Sequence, residues 1–147
     1  MTDHDRATGP DEHTGDLVLA VARRVRLAYA DALAEWHVTP SQSRALRVLA
    51  TRPDGVRPSV LAEHLRIAPR SATEVADALV DRGWVRRSAD PTDRRAVTLT
   101  LTEGGADLVG RIEDVRRVAS ERVLGVLAPD QRRTLHQILL VVVREDQ

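Results

Sequence analysis

The 147-residue chain has no cysteine. That excludes disulfides, thiolate metal ligands and any regulation based on thiol oxidation. It has no phenylalanine and only two Trp and one Tyr, too few aromatic faces to stack the bases of a single strand. Lysine is absent too, so all 22 basic side chains are Arg, balanced by 22 Asp and Glu to zero formal charge. The basic excess that marks many nucleic-acid-binding domains is therefore missing. No stretch approaches the ~18 apolar residues of a membrane span, and no charged segment leading into an apolar run opens the sequence. The expectation is a cytoplasmic protein without a membrane partner. The five histidines, His4, His13, His37, His64 and His136, form no pattern with a second ligand that suggests zinc. No Ser/His/Asp arrangement, Gly-rich phosphate loop or paired-carboxylate site stands out. Neither an enzyme, a cofactor nor a metal site is expected.

What is present begins with uneven charge. Residues 1–16 hold Asp3, Asp5, Asp11, Glu12 and Asp16 against Arg6, so the remainder carries a modest positive excess. Residues 1–15, with Gly9, Pro10 and Gly15, read as a disordered acidic tail, and residues 16–147 as a single domain. An Arg-only, Ala- and Val-rich composition also follows from a GC-rich genome, but Arg does offer a planar fork suited to phosphate and guanine.

Residues 84–102 contain two runs able to form strands. Val97-Thr98-Leu99-Thr100-Leu101-Thr102 alternates apolar residues with Thr, the period of a strand with one buried face. Asp90-Pro91-Thr92-Asp93 supplies a sharp reversal, because Asp bonds its own backbone and Pro presets φ. Arg86, Arg87, Arg94 and Arg95 flank it. A stiff Arg-tipped ribbon fits the minor groove of DNA; a solvated hairpin is the alternative.

The preceding sequence favours the first reading. Thr39 at the N-cap, Pro40 at N1 and Gln42 at N3 form a capping box opening a helix with Ala45, Leu46, Val48 and Leu49 on its apolar face. Arg52-Pro53-Asp54-Gly55 is a turn by composition. Residues 58–65, with Leu61, Ala62 and Leu65, and residues 69–82, with Val75, Leu79 and Val80, form two short helices around the tight link Arg66-Ile67-Ala68. Gly83 terminates the second. Two such helices make a helix-turn-helix, and a hairpin directly after them makes a winged one, spanning about residues 40–102.

Long helices flank this module. Residues 16–36 carry Leu17, Val21, Val25, Ala28, Ala32 and Trp36 at helical spacing, with Asp16 as N-cap. Thr102 caps a helix over residues 103–127, whose apolar positions are Ala106, Leu108, Val109, Ile112, Val115, Ala119, Val123 and Val126. Pro129 starts a last helix to about residue 145. Leu135, Ile138, Leu139, Leu140, Val141, Val142 and Val143 make it apolar nearly all round. A terminal helix in so small a protein cannot bury every side in its own core, so a partner surface is expected. The flanking helices, about 16–36 and 103–145, would build a homodimer; intramolecular packing is the alternative. The expected class is mainly α with a small β-hairpin wing.

In order and spacing these segments resemble the MarR family, the multiple-antibiotic-resistance type of transcriptional regulator. The resemblance covers roughly residues 17–145. It is carried by Asp90-Pro91-Thr92-Asp93-Arg94-Arg95-Ala96 leading into Leu99-Thr100-Leu101-Thr102-Glu103-Gly104-Gly105. Thr39-Pro40, Leu61-Ala62-Glu63-His64-Leu65 and residues 79–87 also match. It implies a homodimer on a pseudo-palindromic operator, with the helix from Pro69 in the major groove and the wing over the minor groove. It further implies that Arg95 enters the minor groove and that Asp93 pairs with a neighbouring Arg, for which Arg87 is the candidate; Asp93 as a turn-maker is compatible with this. A small-molecule effector site between the dimerisation helices and the winged module is also implied, with Arg26, Tyr29, Trp36, His37 and Arg47 as nearby polar and aromatic groups.

In the recognition helix, Arg70, Ser71, Thr73 and Glu74 are the candidate DNA contacts, and Asp77 shares their exposed face. Many members of the family carry Arg or Lys where this chain has Glu74. Glu74 can accept from cytosine, repel phosphate, or pair with Arg70 four residues earlier. Ser59, at a helix N-terminus with outward N–H groups, is a candidate phosphate contact. The expected function is a repressor released by an effector. The alternative is a winged-helix interaction or dimerisation module with weak or no specific DNA binding, suggested by the neutral charge, Glu74 and Asp77.

Overall fold

A computed structural model describes residues 13–90, 92–93 and 95–144. In order the elements are α1 (Thr14–Ala34), α2 (Pro40–Ala50), α3 (Pro58–Leu65), α4 (Pro69–Asp81), β1 (Val85–Ala89), β2 (Val97–Leu101), α5 (Glu103–Leu124) and α6 (Pro129–Arg144). The chain divides into two compact units, Met1–Tyr29 with Val118–Gln147, and Ala30–Arg117. No helix among the described residues is long and apolar enough to cross a membrane.

The central unit, Ala30–Arg117, is built around Leu46, Leu61, Leu65, Leu79, Leu99 and Ile112, all essentially inaccessible to solvent. The capping box of α2 forms as expected: the Thr39 hydroxyl accepts from the Gln42 amide at 3.1 Å, and the Gln42 side chain accepts from the Thr39 amide at 2.9 Å. Helices α3 and α4 each begin with Pro at the first turn. The link between them turns on Arg66, which adopts left-handed geometry with φ 53°. Small Ala72 and Ala76 are completely buried on α4, which lets that helix pack closely on its neighbours. Gly83, with φ 72°, ends α4 in the left-handed conformation that costs glycine least.

Strands β1 and β2 pair antiparallel, Val85 opposite Leu101 and Ala89 opposite Val97. The turn read at residues 52–55 leads into a feature the sequence does not reveal. Val56 joins β2 by a single antiparallel bridge, its amide donating to the Leu99 carbonyl at 2.9 Å and its carbonyl accepting from the Leu99 amide at 2.8 Å. Thr102 ties the hairpin to α5: its hydroxyl donates to the Gly83 carbonyl at 2.6 Å and accepts from the Gly105 amide at 3.1 Å. Gly105 passes so close to the Trp84 carbonyl that a Cβ would overlap it.

Several sequence-based expectations need correction. The tail falls mostly outside the described residues, but Thr14 and Gly15 are helical, and Asp16 is not the N-cap. It lies in the first turn of α1, where its charge complements the helix dipole, and its amide donates to the His13 carbonyl. Trp36 lies past the end of α1, in a turn. Leu33, outside the expected apolar stripe, is the buried residue of α1. On α5, Gly105 and Leu108 face inward whereas Ala106 is exposed, and the helix stops at Leu124, three residues short of the expected end.

In the other unit, Ala119 and Val123 are buried, but α6 has no buried residue. Ile138, Val141, Val142 and Val143 are each more than half exposed, as are Leu19, Leu27 and Val118.

Candidate nucleic-acid interface

The interface starts from the outward faces of α3, α4 and the hairpin. Helix α4 buries Ala72, Ala76 and Leu79, so helical geometry turns Arg70 and Glu74 away from the core. Both are exposed, and Arg70 Nε donates to Glu74 Oε1 at 3.2 Å. Of the fates open to Glu74, the pairing one turn along the helix is therefore present. Ser71 and Thr73 are exposed beside them, and the Thr73 hydroxyl donates back to the Pro69 carbonyl at 3.1 Å. Ser59 is exposed in the first turn of α3. Its neighbour Arg57 occupies the N-cap position without any side-chain cap bond, being engaged elsewhere.

Arg57 reaches the base of the wing. Its Nε donates to Asp90 Oδ2 at 2.7 Å, and the Asp90 side chain is only 8% accessible. The other carboxylate oxygen, Oδ1, accepts from the Thr92 amide at 2.8 Å, the Thr92 hydroxyl at 2.6 Å and the Asp93 amide at 3.2 Å. The Arg57 hydrogen bond, followed by those from Thr92, holds the Asp90 carboxyl well below the usual carboxylate range despite the cost of burial. The same hydrogen bond and charge raise Arg57 above its ordinary value. Asp90 thus staples the start of the turn to the residue that opens α3. Its capacity to bond its own turn is legible in the sequence. Its partner Arg57 is not, because nothing local marks a residue 33 positions away.

Beyond this anchor the turn runs through Asp93 and Arg95, both exposed. Asp93 Oδ1 accepts from the Arg95 amide at 3.0 Å, and the Asp93 carbonyl accepts from the Ala96 amide at 2.9 Å. Asp93 therefore makes the turn. Its expected pairing with Arg87 is not formed: Arg87 pairs instead with Asp77 on α4, because its position on β1 places it beside that helix. Arg94 lies outside the described residues.

The end of α4 is held by a second set of contacts. Arg82 donates to the carbonyl of His37, a residue with φ 54°, and its guanidinium lies 4.1 Å from the centre of the Trp84 ring. Among the candidate effector contacts, Arg47 is paired with Glu113 at 2.8 Å. The Arg111 guanidinium lies 5.4 Å from the Trp36 ring centre. Arg26 is exposed and Tyr29 half-buried on α1, in the unit that does not contain Trp36, His37 and Arg47. No group of three or more His, Asp or Glu side chains that could hold a metal occurs among the described residues.

The MarR family model matches residues 38–97, the stretch that holds α2, the helix-turn-helix and the hairpin turn. An HTH-type transcriptional regulator of Mycobacterium bovis is 34% identical, over 88% of this chain and 92% of its own length. This chain belongs to the MarR family. Among solved structures, the Mycobacterium tuberculosis MarR family protein Rv2887 in complex with DNA is 31% identical. It superposes with a TM-score of 0.78 over 90% of this chain and 98% of that one. Rv2887 has also been solved with salicylic acid, at TM-score 0.73 and 31% identity, over 92% and 99% of the two chains. A mutant of Escherichia coli MarR gives 0.83 at 25% identity, over 90% and 97%. This chain is thus a winged-helix transcriptional regulator of that family, and its relatives are transcriptional regulators.

Proposed function

We propose that this member of the MarR family is a cytoplasmic homodimeric repressor that binds a pseudo-palindromic operator and is released by a small-molecule effector. The observation that carries the DNA reading is the wing anchored by Arg57 and Asp90, which carries Arg95 exposed in its turn, beside a recognition helix with exposed polar side chains. Arg70, Ser71, Thr73 and Glu74 face the major groove. Ser59 contacts phosphate, and Arg95 enters the minor groove from the turn that Asp93 makes; Arg87, paired with Asp77, and Arg94, outside the described residues, are further candidate DNA contacts. The DNA complex of Rv2887 supports the docking.

The exposed apolar face of α6 supports a second copy as its cover, since large contiguous apolar patches are rare on monomers. Two-fold symmetry then places the half-sites about 10 bp apart, so that both recognition helices meet one face of the duplex. The salicylic acid complex of Rv2887 supports an effector. Release requires an effector that binds DNA-competent and incompetent dimers with different affinity; equal affinity shifts nothing.

Fluorescence anisotropy with the duplex upstream of the protein's own gene tests the reading. Binding should prefer that duplex over a scrambled one and weaken steeply with salt, each neutralised phosphate contributing about −0.9 to the log–log slope. Arg95→Ala should weaken it by roughly tenfold, about the loss of one charge-assisted contact. No preference for any duplex, there or after selection from random DNA, would favour an interaction module instead.

A further inference from the structure

The outward stripe of α4 has an unusual composition for a helix meant to enter DNA. Opposite Ala72, Ala76 and Leu79, helical geometry places Arg70, Glu74, Asp77 and Asp81, one cation followed by three acids. Asp77 is neutralised by Arg87. Glu74 is tied to Arg70 but remains 65% exposed, so it must face whatever the helix meets. A carboxylate there is repelled by phosphate and by every acceptor on the groove floor. The only major-groove donors are the amino groups of cytosine and adenine. Adenine sets its amino group beside the N7 acceptor, which opposes a carboxylate, whereas cytosine has no such neighbour on its own base.

The geometry of the pair supplies the second half. Glu74 Oε1 engages the Nε edge of Arg70. The two Nη groups, which can span O6 and N7 of guanine, have no partner among the described residues. The other oxygen of Glu74 likewise remains available to accept. We infer that Arg70 and Glu74 act as one reading unit, recognising a guanine and an adjacent cytosine in the same or neighbouring base pairs of each half-site. Glu74 aims Arg70, accepts from the cytosine amino group, and rejects thymine and guanine at its own position. It also lowers affinity for unrelated duplex, which suits a protein of zero net charge. The inference rests on the DNA-binding reading above and goes beyond it.

The test is selection from a random duplex library with wild type, Glu74→Gln and Arg70→Ala, followed by competition titration of single-base variants. Glu74 and Arg70 are exposed, so these substitutions leave the core intact. Wild type should enrich half-sites with the guanine and cytosine. Glu74→Gln should shift preference at the cytosine position toward adenine, whose N6 and N7 a carboxamide matches, changing discrimination there by roughly 5- to 100-fold. The guanine preference should weaken as well, because a carboxamide holds Arg70 less firmly than a carboxylate, while positions away from the pair should be unchanged. Arg70→Ala should relax the guanine position alone. If all three proteins enrich the same sequence, or if Glu74→Gln changes affinity for every sequence equally, the inference fails while DNA binding stands. If wild type enriches nothing, the DNA reading fails and takes the inference with it.

Discussion

The two units of this protein complete themselves differently. In Ala30–Arg117 the large apolar side chains are buried, and the polar contacts that hold the hairpin lie within one chain: Arg57 with Asp90, Arg87 with Asp77, Thr102 with Gly83. In the unit formed by the two ends of the chain, most of the large apolar side chains are exposed and only Val123 is buried among the described ones. Among the described residues, every exposed large hydrophobic except Trp36 and Val97 belongs to it. The winged helix thus closes its core within one chain, whereas the terminal helices leave apolar side chains exposed, the surface that the proposed homodimer would cover.

The sharpest way to break this contrast is to charge the unsatisfied surface. Ile138→Asp combined with Val142→Asp should convert the protein to a monomer by sedimentation and abolish operator binding, while leaving the winged helix folded. A variant that remained dimeric would place the interface elsewhere. Damage to the self-sufficient unit should look different. Leu99→Ala, at a fully buried position on β2, should cost about 2–5 kcal/mol in denaturant unfolding. A loss under about 1 kcal/mol would mean the hairpin contributes little to that core.

A smaller effect should appear at the base of the wing. The Asp90 carboxyl is held low in the folded protein by Arg57 and Thr92, so its contribution is present above the ordinary Asp value near 3.9 and is lost as pH falls below it. Amide exchange at Thr92, corrected for its intrinsic rate, should accelerate below about pH 4 in wild type. It should be fast at every pH in Asp90→Ala, which has no oxygen to accept from the Thr92 amide. Identical protection in the two proteins would remove Asp90 as the anchor.

The same division governs what the sequence discloses. Local signals are faithful: the Thr39–Gln42 capping box, the Thr102 cap, Gly83 after α4 and the alternation of β2 all form where the residues place them. Signals that need a distant partner are not. The single Val56 bridge has no periodicity to reveal it, and the turn at Arg66 carries no glycine to mark its left-handed geometry. Within the hairpin Asp93 looks like the natural partner of Arg87, but the place of Arg87 on β1 brings it to Asp77 on the helix. A glycine does not count toward an apolar stripe, so periodicity misplaces the inward face of α5 at Gly105 and Ala106. The exposed face of α4 is legible, because its exposure follows directly from the three buried positions opposite it.

Sedimentation velocity of the protein on a labelled operator duplex, at two salt concentrations, distinguishes a DNA-binding dimer from the alternatives. A DNA-binding dimer gives two chains per duplex at saturation, with an affinity that falls steeply as salt rises. One chain per duplex, or an affinity indifferent to salt, would contradict it.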